Sequence, residues 1–211
     1  MPTLSAAVLA RPIAASTPDA QTLVVLSRYL EDAQTLQMGV LPGVMAVVLE
    51  CDRPLLEQVT ELLQRHQRIQ RLVIVAHGEP GVVHWGDTPL TTTTLVEGGD
   101  WRAWRLEEIV LCSCRVGADR EFVEQLAAVT GSRVIASAEI LGAGHWLPEM
   151  AAVFNDEVLQ HYSGTFAPKV SGVYNGFGAP TSLPTGSRPY STSVGDFNGD
   201  GVVDLVAANR S

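Results

Sequence analysis

The sequence predicts an α/β domain, a parallel sheet with helices on both faces. Three observations carry that prediction. From about Gln21 to Ala136, short apolar runs alternate with amphipathic stretches, and repeated strand–helix alternation builds a parallel sheet. Runs such as Leu72–Val75 are continuously apolar rather than alternating, as suits strands buried on both sides. The 211 residues are 46% hydrophobic and 18% charged, which supports a sizeable core and argues against general disorder.

Each element follows from local pattern. Thr22–Ser27 and Met45–Glu50 read as strands, and Arg28–Gln37 between them as a short helix. Asp52 is a candidate N-cap, followed by Pro54 in a first turn and by Leu55, Leu56, Val59, Leu62 and Leu63 at helical spacing. Arg71–Gly78 and Glu107–Cys114 read as the next sheet strands, and Gly81–Leu90 between them as a hairpin turning near Gly86-Asp87. Asp119–Gly131 reads as a helix that begins on an aspartate and ends on a glycine, with Phe122, Val123 and Leu126 on one face. Ser132–Ser137 reads as a further strand. These elements define a first domain over residues 20–165, a Gly/Ser/Pro-rich linker over 166–192, and a distinct segment over 193–211.

Composition excludes several function classes. A net charge of −9 argues against binding a nucleic-acid backbone, which needs clustered basic residues. The three cysteines, Cys51, Cys112 and Cys114, do not form a disulfide framework, and a bridge between Cys112 and Cys114 would be strained. No apolar run approaches the roughly 20 residues of a membrane helix. The opening residues lack a basic stretch and are interrupted by Arg11 and Pro12, unlike a cleaved signal peptide.

Reactive groups in an open parallel α/β sheet gather beyond the carboxyl ends of the strands. His77 and Cys114 end two predicted sheet strands. If those strands are neighbours, imidazole and thiol face each other, and a histidine beside a cysteine can take its proton or stabilise the thiolate. Gly78 permits close backbone approach, and its N–H is a candidate oxyanion donor. Together they are the parts of a cysteine hydrolase. Pattern alone favours the plainer reading, a structural histidine and a small core cysteine. Zinc lacks a fourth ligand at convincing spacing. Gly-x-Ser-x-Gly is absent, and the Gly176–Thr181 stretch lacks the third glycine of a dinucleotide site. His84 and Trp85 are expected to pack in the hairpin, Glu79 to be solvated, and Asp119 to be a helix N-terminal residue rather than a catalytic acid.

The stretches LVIVAHGEPGVVHWG, IVLCSCRVG, FVEQLAAVTGSRVIAS and GAGHWLPEM resemble, in order, those of a bacterial family known as domain of unknown function 4347. That family is similar to the caspase–gingipain–clostripain cysteine peptidases. The resemblance spans about Thr22 to Tyr162 and implies a caspase-like sheet. His77 matches the family's histidine and Cys114 its cysteine, while Cys112 matches a position that is usually aromatic. Two residues depart from the pattern: Ser113 replaces the usual glycine, and Arg115 the usual asparagine. In this class Cys114 would attack the scissile carbonyl, His77 would protonate the leaving amine, and Gly78 N–H would hold the oxyanion.

The segment DFNGDGVVD places oxygen ligands at Asp196, Asn198, Asp200 and Asp204, with the Val202 carbonyl at the seventh position and Gly201 at the sharp turn. That is the ligand spacing of a calcium loop; the alternative is an Asx-turn cluster without metal. An EF-hand would carry glutamate where Ala207 stands and would be flanked by helices, whereas the residues after the loop read as a strand. Ser193–Asn209 resembles an FG-GAP or VCBS repeat, the blade unit of calcium-binding β-propellers. One blade cannot close a propeller, so the chain is expected to be a fragment or the amino-terminal part of a longer repeat protein, its tail poorly ordered. The resemblances imply a cysteine peptidase domain in an extracellular or cell-surface protein that binds calcium. Its substrate would be a polypeptide or its own longer chain, and cell-surface components are candidate partners. The alternative is a non-catalytic adhesion or assembly module on the same fold.

Overall fold

The computed structural model describes residues 19–168 and, as backbone, the strands Pro189–Gly195 and Asp204–Asn209. The chain divides into two compact units between Ser171 and Gly172. In the first, β1 (Thr22–Ser27) leads to α1 (Ala33–Met38), β2 (Val44–Leu49), α2 (Leu55–Arg65) and β3 (Arg71–Val75). The small strands β4 (Gly78–Glu79) and β5 (Val82–Val83) follow, then α3 (Thr92–Glu97), β6 (Glu108–Cys112), α4 (Arg120–Thr130), β7 (Arg133–Ala136) and α5 (Asp156–His161). The main sheet has five strands in the order β2-β1-β3-β6-β7, all parallel.

Two apolar layers cover it, as the continuous runs predict. Val25, Ile74 and Leu111 face a layer containing Val59 of α2, Leu95 of α3, and Phe122 and Leu126 of α4. Val24, Val73 and Val110 face Leu36 of α1, Val158 of α5, and Phe154 just before α5. Alternate residues of one strand thus serve opposite layers.

Helix ends differ from expectation where side chains compete for the backbone. α1 starts at Ala33, not Arg28, because Asp32 in the left-handed region (φ 50°) caps it by accepting from Thr35 N–H. Asp52 does not cap α2: Pro54 occupies the N-cap position without a side-chain bond. Gln58 instead ties the entry loop by donating to the Glu50 and Arg53 carbonyls. α4 keeps its predicted ends, with Asp119 accepting from Phe122 N–H and Gly131 in the left-handed region at φ 75°.

The predicted hairpin begins earlier than expected. β4 and β5 pair around Pro80-Gly81, where proline and a glycine at φ 72° suit a tight turn. Gly86-Asp87 falls in a second reversal, closed by the Val83–Leu90 bridge. In the second unit, β8 (Pro189–Gly195) and β9 (Asp204–Asn209) pair antiparallel, so β8 starts inside the stretch read as linker. A proline is tolerated as the first residue of a strand. Asp204 opens β9; Asp196, Asn198, Asp200 and Val202 lie outside the described residues.

Candidate active site

β1 sits between β2 and β3, so the strand order reverses at the β1/β3 boundary. Such reversals leave a crevice beyond the carboxyl ends of the strands. His77 lies there, two residues after β3 ends, and its Nε2 is 3.3 Å from the Tyr29 carbonyl oxygen beyond β1. A carbonyl only accepts, so Nε2 carries the proton in this bond and Nδ1 is left as the proton acceptor. Nδ1 is buried and has no protein partner.

Cys114 stands in the matching place on the next strand. Val75 and Cys112, the last residues of β3 and β6, are register partners. His77 and Cys114 each follow two residues later, at strand ends about 4.8 Å apart. A Cβ on Gly78 would stand 2.7 Å from Ser113 Cβ and 3.2 Å from the Cys114 carbonyl oxygen, so the two segments stay in contact past the ladder. Glycine is required at Gly78 by that approach.

The thiol bonds elsewhere than to the imidazole. Leu141 N–H donates to Cys114 Sγ at 3.1 Å, and Sγ is 3.4 Å from the Leu141 carbonyl oxygen. Cys114 is 1% and His77 8% exposed, and no hydrogen bond joins them among those of the described residues. Burial pushes the Cys114 thiol up, opposed by the backbone of Leu141 and Phe166 and by the Arg115 charge. The Gly78 N–H is also engaged, donating to the Phe166 carbonyl at 2.9 Å. The resting arrangement therefore disfavours ionisation of the thiol and leaves the Gly78 N–H already bonded.

The two departures from the family pattern both leave a local cost. Ser113 is fully buried and its hydroxyl has no protein partner, a defect that glycine would not carry. Arg115 adopts φ 57°, a left-handed conformation that asparagine tolerates better.

Other sequence candidates fall where packing dictates. Trp85 is fully buried. Glu79 is exposed, but its Oε1 stands 3.3 Å from His84 Nε2, too poorly aligned for a hydrogen bond. Asp119 is engaged as the α4 cap. Tyr29, Leu141 and Phe166 escaped sequence reading because they act through backbone atoms. The glycines of the Leu141–Trp146 stretch were the one available signal: Gly142 and Gly144 sit at φ 95° and 88°.

A cavity of about 460 Å³ between α1 and α5 is lined by Asp32, Thr35, Glu157 and Tyr162 among others, but by neither His77 nor Cys114. None of the described helices is long and apolar enough to cross a membrane.

Comparison with known proteins finds an FG-GAP repeat at residues 188–211. No curated protein and no solved structure matches the chain. Residues 23–166, most of the chain, match Domain of unknown function (DUF4347), and the chain belongs to that family.

Proposed function

We propose that the domain is a caspase-like cysteine peptidase acting on a polypeptide substrate or on its own chain, within a secreted or surface protein. The observation that carries this reading is the matched position of His77 and Cys114, two residues beyond paired ends of adjacent parallel strands. Cys114 attacks the scissile carbonyl carbon, and its proton passes through His77 to the leaving amine. Gly78 N–H steadies the oxyanion once it is released from Phe166. Water then hydrolyses the thioester, giving a new carboxylate and restoring the thiol.

The repeat and the spacing of Asp196, Asn198, Asp200, Val202 and Asp204 support calcium binding and an extracellular site of action, where calcium is plentiful. Two experiments address the two halves, the first a peptide-library cleavage assay read by mass spectrometry, run with calcium and with a chelator. We expect cuts after one residue type that vanish in Cys114→Ala. Calorimetric titration should show calcium binding that Asp200→Ala weakens at least tenfold; equal binding would remove these residues as ligands.

A second reading has its own support. A thiol that is 1% exposed and bonded to Leu141 suits a non-catalytic adhesion or assembly module. Absence of Cys114-dependent cuts by a folded chain, with the site shown to be accessible, would favour it.

A further inference from the structure

The chain itself closes the space over Cys114. Gly142 and Thr165 form an antiparallel bridge. Ala143 N–H donates to the Gly164 carbonyl at 2.9 Å, and Phe166 N–H to the Leu141 carbonyl at 3.0 Å. Gly164–Phe166 thus runs as a short strand beside Leu141–Ala143, the segment whose first residue binds the thiol. Burial alternates as in a half-buried strand: Tyr162, Gly164 and Phe166 are buried, while Ser163 and Thr165 are exposed. The fit is tight, since a Cβ on Gly142 would overlap the Gly164 carbonyl oxygen and stand 2.8 Å from Thr165 Cα.

This strand holds what a polypeptide substrate needs. Extended peptides bind by pairing with an exposed backbone edge, and the edge at Leu141–Ala143 is already paired. The Phe166 carbonyl occupies the Gly78 N–H at 2.9 Å. Phe166 fills the adjoining space, its ring 5.5 Å from Trp146 and 5.7 Å from Tyr162 between centroids. Beyond Phe166 the chain returns to the surface, with Ala167 half-buried and Pro168 exposed.

We propose that Gly164–Phe166 is an autoinhibitory strap that occupies the substrate's place as a β-strand and keeps Cys114 latent until it lifts. What the strap inhibits rests on the peptidase reading; that it lifts and bares the thiol does not.

The test uses the full chain. Native-state hydrogen exchange should show the amides of Gly78, Ala143 and Phe166 exchanging at least tenfold faster than those of Ile74 and Leu111 in the sheet. Alkylation by iodoacetamide, read at each cysteine by mass spectrometry, should be slow at Cys114 in the wild type. In Gly142→Val, which cannot seat the strap, it should rise at least tenfold at Cys114 and not at Cys112. Exchange of the strap amides only together with the sheet would overturn the strap, and decides the matter even if the variant does not fold. Wild-type Cys114 alkylating like a free thiol would also overturn it. Fast alkylation of Gly142→Val without peptide cleavage would keep the strap and remove the peptidase reading. Peptide cleavage by the wild type, undiminished by the strap and not increased in the variant, would do the reverse.

Discussion

Arg115 shows how one side chain is set by its backbone. It follows the candidate nucleophile, is exposed, and takes φ 57°. Arginine in that region carries a steric cost of about 1 kcal/mol. Its positive charge also favours the Cys114 thiolate, though less than burial disfavours it. Arg115→Asn should therefore stabilise the fold by about 0.5–1 kcal/mol, while making Cys114 somewhat harder to ionise. Urea unfolding with alkylation against pH checks both, and a destabilised variant would show that the arginine side chain contributes more than its backbone loses. The departure from the family's asparagine was legible in the sequence; the φ angle that gives it meaning was not.

At the scale of elements, α4 illustrates local rules that survive folding. Asp119 caps it, Gly131 ends it, and Phe122 and Leu126 face the core. Asp119→Ala should cost about 1 kcal/mol of stability and leave Cys114 alkylation unchanged at temperatures where the chain is folded. Lost thiol reactivity at unaltered stability would instead assign Asp119 to the chemistry. α1 and α2 are the counterexamples. Their entries are decided by Asp32 in a left-handed conformation and by Gln58 reaching two loop carbonyls, and neither interaction has a sequence period. The hairpin is similar: Pro80-Gly81 and Gly86-Asp87 are both turn signals, and the two short ladders use both.

Across the whole molecule, burial of ionisable groups makes stability depend on pH. Burial raises the pKa of Cys112, Cys114 and Tyr162. In the unfolded chain cysteine ionises near about 8.5 and tyrosine near about 10. Above those values the unfolded chain has released protons that the native chain retains, so stability falls as pH rises. The contribution is fully present below the unfolded values and declines by at most about 1.4 kcal/mol per pH unit for each group. Denaturant midpoints should fall between pH 8 and pH 10.5, and less steeply in Cys112→Ala. A flat profile would mean that the thiols ionise in the native chain as they do unfolded.

The sequence by itself determined the sheet and its covering layers, and it placed His77 and Cys114 near the carboxyl ends of their strands, although both strands stop two residues short of them. Those features rest on hydrophobic period and residue order, which are local. It also carried the spacing of Asp196, Asn198, Asp200 and Asp204 on which calcium binding is proposed, because such a spacing is a property of a short contiguous stretch. Only the tertiary structure decided that β3 and β6 are neighbours with Val75 opposite Cys112, which brings the two strand ends together. It alone decided that Leu141 binds the thiol and that Phe166 takes the Gly78 N–H. Those contacts join backbone atoms far apart in the chain, and every residue type offers the same N–H and C=O, proline's N–H excepted, so no side-chain pattern could announce them.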